Sequence, residues 1–189
     1  MGVKKFLLVC ETCNSGWISE NENKIKEAIG KLVLGEQIRL EDQFIPKIAA
    51  WIAIMTIMGE FMDPDERAIH RNHRNFLYKN RYPSDDWKIW IGIYEGEQTQ
   101  LYRWSHIIQS DNPQDVTNPM FSPIDHPDHC QVTVITLNKL LIVSATNPAV
   151  DIDRMFTEMI YKSKHRLVQL WPRASDRVLK NLATREKFK

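Results

Sequence analysis

Apolar residues recur at helical spacing in the stretch between Ser19 and Gly35. Ser19 is a favourable N-cap, and Glu22 stands three residues later as its partner in a capping box. Gly35 is a favourable residue just beyond a helix C-terminus. The pattern predicts a helix with one apolar face, which carries Ile25, Ala28, Ile29, Leu32 and Val33.

A longer apolar run, IAAWIAIMTIM, occupies residues 48–58, between Lys47 and Glu60. Its eleven residues are too few to cross a membrane, which takes about 20. Pro46 suits the first turn of a helix. We therefore expect a helix over about 44–62 that is buried on most sides, followed by a more polar helix over about 64–79.

The periodicity changes to two in WKIWIGI, which begins at Trp87. This alternation predicts a strand with Trp90 on one face. The opposite face carries Trp87, Ile89, Ile91 and Ile93. Residues 99–108 are predicted to pair with this strand after a turn at Glu95 and Gly96.

The rest of the chain adds further strands and helices. A proline-rich loop at about 109–128 precedes CQVTVITLNKLLIVSAT, which predicts a hairpin turning near Asn138. The remaining predicted elements are a short strand at Lys4–Val9, a helix at about 151–163, a strand from Arg166 to Trp171, and a last helix from Ser175. Helices first and an antiparallel sheet later indicate an α+β fold in one compact unit. Residues 1–35 hold the first helix, and residues 36–189 hold the α+β body.

Two cysteines, Cys10 and Cys13, have the spacing of zinc ligands on a tight turn. A structural zinc takes four ligands, and this turn supplies two of them. The stretch DHPDHC offers His126 and either His129 or Cys130 to complete the site. Two further alternatives remain open: a homodimer in which each chain contributes its cysteine pair, and a reduced pair without metal.

Composition narrows the class of protein. The chain has 43% hydrophobic and 26% charged residues, which is ordinary for a soluble globular protein. Three cysteines among 189 residues do not make a disulfide framework, and no secretory signal begins the chain. We expect a cytoplasmic protein without a membrane partner. Glycine-rich phosphate loops, nucleophile elbows and metalloprotease helix motifs are absent from the sequence.

The motif VCETCNSGW, with Ser19 and Glu22 after it, resembles the second cysteine pair of zinc-bound HNH endonucleases. It is similar in particular to phage and bacterial proteins in which such a cysteine turn precedes a helix. The resemblance implies a ββα-metal fold, an upstream cysteine pair that completes the zinc site, and a histidine that acts as general base. It also implies that Asn14 orients that histidine and that Glu22 helps to hold the catalytic cation. Looser matches are Ala50-Trp51, Trp90 to Gly92, and Leu170 to Pro172.

The chain departs from this pattern in its upstream half. Nine residues precede Cys10, and none of them is His or Cys. Asn14 and Glu22 are therefore expected to be remnants, one a turn residue and the other part of the capping box. The hypothesis is a catalytically inactive protein of phage or mobile-element type. It would bind a nucleic acid, a host protein or a host defence nucleoprotein complex, and act as an inhibitor. The alternative is a metal-dependent HNH-type endonuclease with a rebuilt or partner-supplied active site.

Charge is unevenly distributed despite the net value of +1. Residues 161–189 hold nine Lys or Arg and two acidic residues, a balance of +7, whereas the other residues hold sixteen and twenty-two, a balance of −6. A basic segment on an acidic body is typical of proteins that bind phosphate or an acidic surface, and a solvated helix face is the alternative. The residues predicted to bind the partner are Lys162, Lys164, Arg166, Arg173, Arg177 and Lys180.

Two other groups of side chains invite a functional interpretation. His70 and His73 have a metal-ligand spacing, but His73 also aligns with the apolar face of its helix, which favours a place at the edge of the core. Arg67, Arg71 and Arg74 would form a basic face on that helix. The last group is aromatic and consists of Trp87, Trp90, Tyr102 and Trp104. These rings could form a platform on which bases stack, but we expect at least half of them to belong to the hydrophobic core.

Overall fold

The computed structural model describes residues 9–36, 38–61, 68–96, 99–107, 129–146 and 167–172. Its helices come first: α1 (Glu11–Cys13), a π-helical turn (Asn14–Ile18), α2 (Ser19–Val33), α3 (Ile45–Glu60) and α4 (Arg71–Asn80). The strands follow: β1 (Trp87–Ile93), β2 (Gln100–Ile107), β3 (His129–Leu137), β4 (Leu140–Thr146) and β5 (Leu167–Trp171). The predicted α+β class is confirmed.

Several predicted elements lie outside the described residues. They are the strand at Lys4–Val9 (all but its last residue), the loop at 109–128, the helix at 151–163 and the helix from Ser175. The basic segment 161–189 is described only over 167–172.

Five antiparallel strands form one sheet in the order β2-β3-β4-β1-β5. The predicted pairing of residues 99–108 with β1 is wrong, because β1 is flanked by β4 and β5. β2 pairs instead with β3, with Leu101 opposite Ile135. An alternating sequence specifies which face of a strand is apolar, but the backbone groups at its edges are the same for every partner.

The β3–β4 hairpin turns at Asn138 and Lys139, as the sequence predicts. Leu137 and Leu140 are the last paired residues, and Asn138 has a positive φ of 51°. Asparagine tolerates this left-handed conformation better than most residues, which explains why the turn falls there.

Helix α3 lies against one face of the sheet and forms the centre of the core. Ile48, Ala49, Ala50, Ile52 and Ala53 have no exposed surface, so the prediction of a helix buried on most sides is confirmed. On the facing strand, Trp87, Ile89 and Ile91 join the same cluster, whereas Trp90 packs on the opposite face with Val132, Val143 and Ala145. The predicted alternation of β1 is thus confirmed for Trp87 to Ile91, whereas Ile93, at the end of the strand, is 37% exposed and lies outside this cluster. No helix in the described part of the chain combines the length and apolarity needed to span a membrane.

Helix α2 ends where predicted but begins differently. Gly35 has a φ of 75°, its N–H donates to the Leu32 carbonyl at 3.0 Å, and the Glu36 N–H donates to the Lys31 carbonyl at 2.9 Å, which is a Schellman motif. The predicted N-cap at Ser19 is wrong, because Ser19 already has helical angles (φ −60°, ψ −40°) and the chain enters α2 from a kink at Gly16 (φ −91°, ψ −117°). Glu22 is correspondingly an exposed residue of the first turn of α2 and not part of a capping box.

Candidate functional site

The Cys10–Cys13 turn contains the short helix α1. Cys10 is its N-cap: the Cys13 N–H donates to the Cys10 carbonyl at 3.1 Å and approaches the Cys10 Sγ at 3.4 Å. The Asn14 N–H donates to the same carbonyl at 3.0 Å. Cys10 thus caps only α1, whereas α2 has Ile18 at its N-cap, without a side-chain hydrogen bond.

The two thiols are close enough to act on each other. A hydrogen bond from Cys13 lowers the pKa of the Cys10 thiol, and the backbone N–H of Cys13 adds to this effect. The same hydrogen bond raises the pKa of Cys13, and loss of hydration adds to the rise. Cys10 is exposed and Cys13 is half-buried, so both sulfurs stand at the protein surface. They are two suitably placed soft ligands for one zinc ion.

The side chains that would complete the predicted zinc site are not among those that the structure describes. His129 and Cys130 start β3, opposite Ile107 and His106, and His126 lies outside the described residues. Within the described ranges, no group of three or more His, Cys, Asp and Glu side chains is placed to hold a metal ion. Cys10 and Cys13 thus fit half of a tetrahedral zinc site, and its completion stays a prediction.

The two remnant positions of the HNH resemblance are exposed. Asn14 follows the cysteine turn, and Glu22 lies in α2. The neighbouring Ser15 hydroxyl donates to the Glu11 carbonyl at 2.7 Å, which closes the first turn from within. The side chains of Asn14 and Glu22 are both exposed to solvent, one on each side of the kink at Gly16.

The histidines of α4 have separate structural roles. His70 is the N-cap, and its Nδ1 accepts from the Asn72 N–H at 3.2 Å. His73 Nδ1 lies 3.0 Å from the Ser84 hydroxyl, and its ring meets the Trp87 ring edge-on at 6.1 Å. Burial lowers the pKa of His73 below its ordinary value. The predicted place of His73 at the edge of the core is confirmed.

The predicted basic face of α4 is wrong for Arg74. Its Nη2 donates to Glu60 Oε2 at 2.5 Å, and the Glu60 side chain is fully buried. Arg74 therefore compensates a charge inside the protein and is not available to phosphate. Arg67 lies outside the described residues.

The two aromatic residues of this group whose side chains are described, Trp87 and Trp90, belong to the hydrophobic core. Trp87 is 0% exposed and Trp90 is 6% exposed, so neither presents a ring to a ligand. The Trp87 Nε1 donates to the Ser144 hydroxyl at 2.7 Å, which satisfies its one donor. The prediction that at least half of this group is core is confirmed.

Sequence reasoning missed a cationic and aromatic cleft next to the cysteine turn. Arg81 follows α4 in a left-handed conformation (φ 67°, ψ 17°). Its guanidinium carbon lies 4.6 Å from the centroid of the Trp17 ring and 4.9 Å from that of the Tyr78 ring. We call the adjoining open depression of about 270 Å³ the Arg81 cleft, and its lining includes Trp17, Glu20, Lys24, Lys47, Arg81 and Tyr82.

The Arg81 cleft is electropositive. Lys24, Lys47 and Arg81 contribute three positive charges, and Glu20 contributes the single negative charge of its lining. The two ion pairs formed wholly by described side chains, Lys31–Glu27 and Arg74–Glu60, involve none of these cations. The Asn21 amide donates to the Lys47 carbonyl at 2.9 Å and so joins the α2 and α3 walls of the cleft.

The Arg81 cleft and the Cys10–Cys13 turn are neighbours. The positive charge of Arg81 and the side chain of Trp17 both act to lower the pKa of Cys13, against the larger raising effect of Cys10. The cleft was missed because Trp17, Lys47 and Arg81 come from three separate elements. A guide was nevertheless present in the sequence: Arg81 and Tyr82 interrupt the helical pattern after Asn80, immediately before Pro83.

The residues predicted to bind a partner were Lys162, Lys164, Arg166, Arg173, Arg177 and Lys180, all outside the described residues. Comparison of the chain with protein-family models, with curated proteins and with solved structures finds no match. The HNH resemblance therefore rests on sequence motifs, chiefly those of the cysteine turn.

Proposed function

We propose that this chain is an HNH-related protein that works by binding nucleic acid, and that the Arg81 cleft is part of its binding surface. One observation carries the proposal: three cations with no acidic partner among the described residues surround an open cleft that also contains aromatic side chains. Concentrated positive charge attracts phosphate, and each phosphate neutralised by Lys or Arg releases a counterion. The cysteine turn that resembles HNH endonucleases lies beside this cleft.

The backbone conformation of Arg81 is unfavourable for folding, but its side chain is well placed to bind a ligand. A non-glycine residue in the left-handed region costs about 1–2 kcal/mol, and glycine is the residue that helices prefer there. The cation–π contacts with Trp17 and Tyr78 offset this conformational cost by about 0.5–1 kcal/mol each, the value typical of exposed sites. A planar guanidinium that is held by two rings is pre-oriented for phosphate, which reduces the entropy lost on binding.

The wider proposal concerns the target. A protein of phage or mobile-element type that binds nucleic acid can act on a host defence nucleoprotein complex and inhibit it. The support for this setting is the HNH resemblance of the cysteine turn. The basic balance of +7 over residues 161–189 would add a second cationic surface for the same kind of target.

Binding is tested by fluorescence anisotropy of labelled DNA and RNA with the purified chain over a series of salt concentrations. We expect the logarithm of the affinity to fall by about 0.9 per log unit of salt for each phosphate contacted on a duplex, and by about 0.7 on a single strand. Lys24→Glu and Arg81→Gly should each weaken binding. Arg81→Gly is informative because it removes the charge while relieving the left-handed strain, so the free energy of unfolding should change by less than about 1 kcal/mol.

The matched control is Lys26→Glu, which makes the same charge change on α2 at an exposed position outside the lining of the cleft. The proposal is wrong if the chain binds no nucleic acid at low salt. The choice of surface is wrong if Lys26→Glu and Lys24→Glu weaken binding equally, because charge at any position would then suffice.

The alternative is an HNH-type endonuclease whose general base and remaining ligands come from elsewhere. The exposure of Asn14 directly beside the cysteine turn favours it, since a partner could reach that side chain. The test is incubation of the chain with duplex and single-stranded DNA and Mg²⁺, Mn²⁺, Ni²⁺ or Zn²⁺. We expect no cleavage. Metal-dependent cleavage that is lost in Asn14→Ala would establish the nuclease and overturn the proposal of a non-catalytic protein.

A further inference from the structure

The end of α4 presents an unusual concentration of exposed aromatic rings. Within the described residues, six large apolar side chains are exposed, and three of them fall in the seven positions from 76 to 82. Phe76 is 36% exposed, Tyr78 is 55% exposed and Tyr82 is 39% exposed. Tyr78 lies against the Arg81 guanidinium, and Phe76 packs against Tyr82, which lines the Arg81 cleft.

The Tyr82 ring is fixed in place although it is exposed. It meets the Phe76 ring edge-on at 5.8 Å and the Trp171 ring at 5.7 Å with a tilt of 49°. The Trp171 Nε1 in turn donates to the Ser84 carbonyl at 3.0 Å, so the ring beneath Tyr82 is tied to the chain that follows it. Tyr82 thus offers a rigid aromatic surface at the wall of the cleft, and little rotamer entropy is lost when a ligand stacks on it.

Charge and aromatic surface meet at Arg81 and Tyr82. On one side, the guanidinium lies between the rings of Trp17 and Tyr78. On the other, Lys24 and Lys47 stand on the α2 and α3 walls. Cations that follow a phosphate backbone, combined with rings on which bases stack, are the recurring arrangement of single-strand binding sites.

We infer that the Arg81 cleft takes an unpaired nucleic-acid strand, with phosphates at Lys24, Lys47 and Arg81 and a base stacked on Tyr82. This inference rests on the proposed function and adds to it the form of the ligand. A base can stack on a side chain only when its own face is free, which a duplex does not allow without unstacking. The cleft volume of about 270 Å³ lies near the lower end of ligand pockets and suits a nucleotide unit of a strand.

The experiment compares single-stranded oligonucleotides, the matching duplex and a mononucleotide, each against the full chain at one salt concentration. The single strand, whether DNA or RNA, should bind at least about five-fold more tightly than the duplex. A mononucleotide should displace it only at much higher concentration, because it carries fewer phosphates and one base. Equal competition by the mononucleotide would overturn the inference in favour of a small-ligand site.

The variants Tyr82→Leu and Tyr78→Leu separate stacking from charge. Each removes a ring and keeps an apolar side chain, and Tyr82→Leu should weaken single-strand binding by about five- to a hundred-fold while changing duplex binding little. Tyr82→Phe should restore most of the loss, because the ring and not the hydroxyl provides the stacking surface. Leu34→Ala is the control, since Leu34 is the most exposed of the six apolar side chains and does not line the cleft. Thermal unfolding shows whether each variant is folded, and the comparison of single strand, duplex and mononucleotide on the unchanged chain decides the inference if Tyr82→Leu is not.

The outcomes distinguish this inference from the proposed function. If duplex and single strand bind equally, and both leucine variants bind as the unchanged chain does, the inference is wrong and nucleic-acid binding stands. If neither form binds, both are wrong.

Discussion

Arg74 and Glu60 form a buried ion pair, in which Arg74 Nη2 donates to Glu60 Oε2 at 2.5 Å. The second carboxylate oxygen, Oε1, accepts from the N–H groups of Ala68 at 2.7 Å and Ile69 at 2.8 Å. The last residue of α3 is thereby joined to the chain that leads into α4. The carboxylate is fully buried, so its charge must be compensated within the protein.

Loss of either partner should therefore be costly. Glu60→Ala and Arg74→Ala are each expected to lower the free energy of unfolding by about 3–5 kcal/mol, because Arg74→Ala removes the countercharge of a buried carboxylate and Glu60→Ala removes the acceptor of the Ala68 and Ile69 N–H groups. Glu60→Gln should cost less, since its amide oxygen can still accept from both N–H groups. Urea unfolding measures all three, and Lys79→Ala on the exposed side of α4 is the control, with an expected change within about 0.5 kcal/mol. A loss as small in Arg74→Ala would contradict the buried pair.

His73 should make stability depend on pH. Burial, reinforced by His70 and opposed by Asp86, holds the pKa of His73 below its ordinary value. The unfolded chain, with an ordinary histidine pKa of about 6.5, then takes up a proton more readily than the folded chain. The contribution of His73 is therefore present above that value, is lost as the pH falls below it, and levels off below the folded pKa.

The measurement is the free energy of unfolding from about pH 7.5 to about pH 5, in the unchanged chain and in His73→Gln. We expect the variant to be less stable at neutral pH and its pH dependence to be weaker, because the titrating group is gone. An identical pH dependence in both proteins would show that His73 does not titrate differently in the folded state.

Gly35 and Gly30 should respond in opposite directions to alanine. Gly35 has a φ of 75°, and an added Cβ would lie 3.2 Å from the Cβ of Lys139. Gly35→Ala is expected to cost about 1–2 kcal/mol from the left-handed conformation alone. Gly30 lies within α2, and a Cβ there would meet nothing within 4 Å, so Gly30→Ala should stabilise by about 0.5–1 kcal/mol. Thermal or urea unfolding of the two variants checks the pair, and a gain from Gly35→Ala would contradict the Schellman motif.

Zinc, where it binds, should depend on the Cys10–Cys13 turn. Elemental analysis of protein purified without chelators measures the metal. Where zinc is present, Cys13→Ser should lose both the metal and thermal stability, since structural zinc contributes directly to folding, whereas a protein without zinc would favour the reduced cysteine pair. One zinc per chain would favour completion by His126 and His129 or Cys130, whereas one per two chains would favour a homodimer. Cys130→Ser and a sedimentation measurement distinguish these cases. Zinc retained in full by Cys13→Ser would exclude the turn as its site.

Local sequence patterns were sufficient to predict the helix and the strand that form the core. The apolar run at 48–58 predicted α3, and the alternation in WKIWIGI placed Trp87 and Trp90 on opposite faces of β1. The hairpin at Asn138 and the end of α2 at Gly35 were likewise predicted, because a positive φ favours particular residues whatever surrounds them. The identity of each side chain carried the information in all four cases.

Other features were decided by groups that are distant in the chain. β2 pairs with β3 and not with β1, because β4 and β5 take both edges of β1 and strand edges offer the same backbone groups to any partner. The chain is already helical at Ser19, because it enters α2 from a kink at Gly16, so Ser19 does not cap the helix. Arg74 is internal because Glu60, fourteen residues earlier, is buried beside it.

The sequence by itself determined the α+β class, the buried helix, the faces of β1 and the turn that carries Cys10 and Cys13. Tertiary structure alone decided where the cations and exposed rings of the candidate site come together. Trp17, Lys47 and Arg81 come from separate elements, and no periodicity links them. Periodicity records which side of one element avoids water, whereas a site on the surface depends on distances between elements that only packing sets.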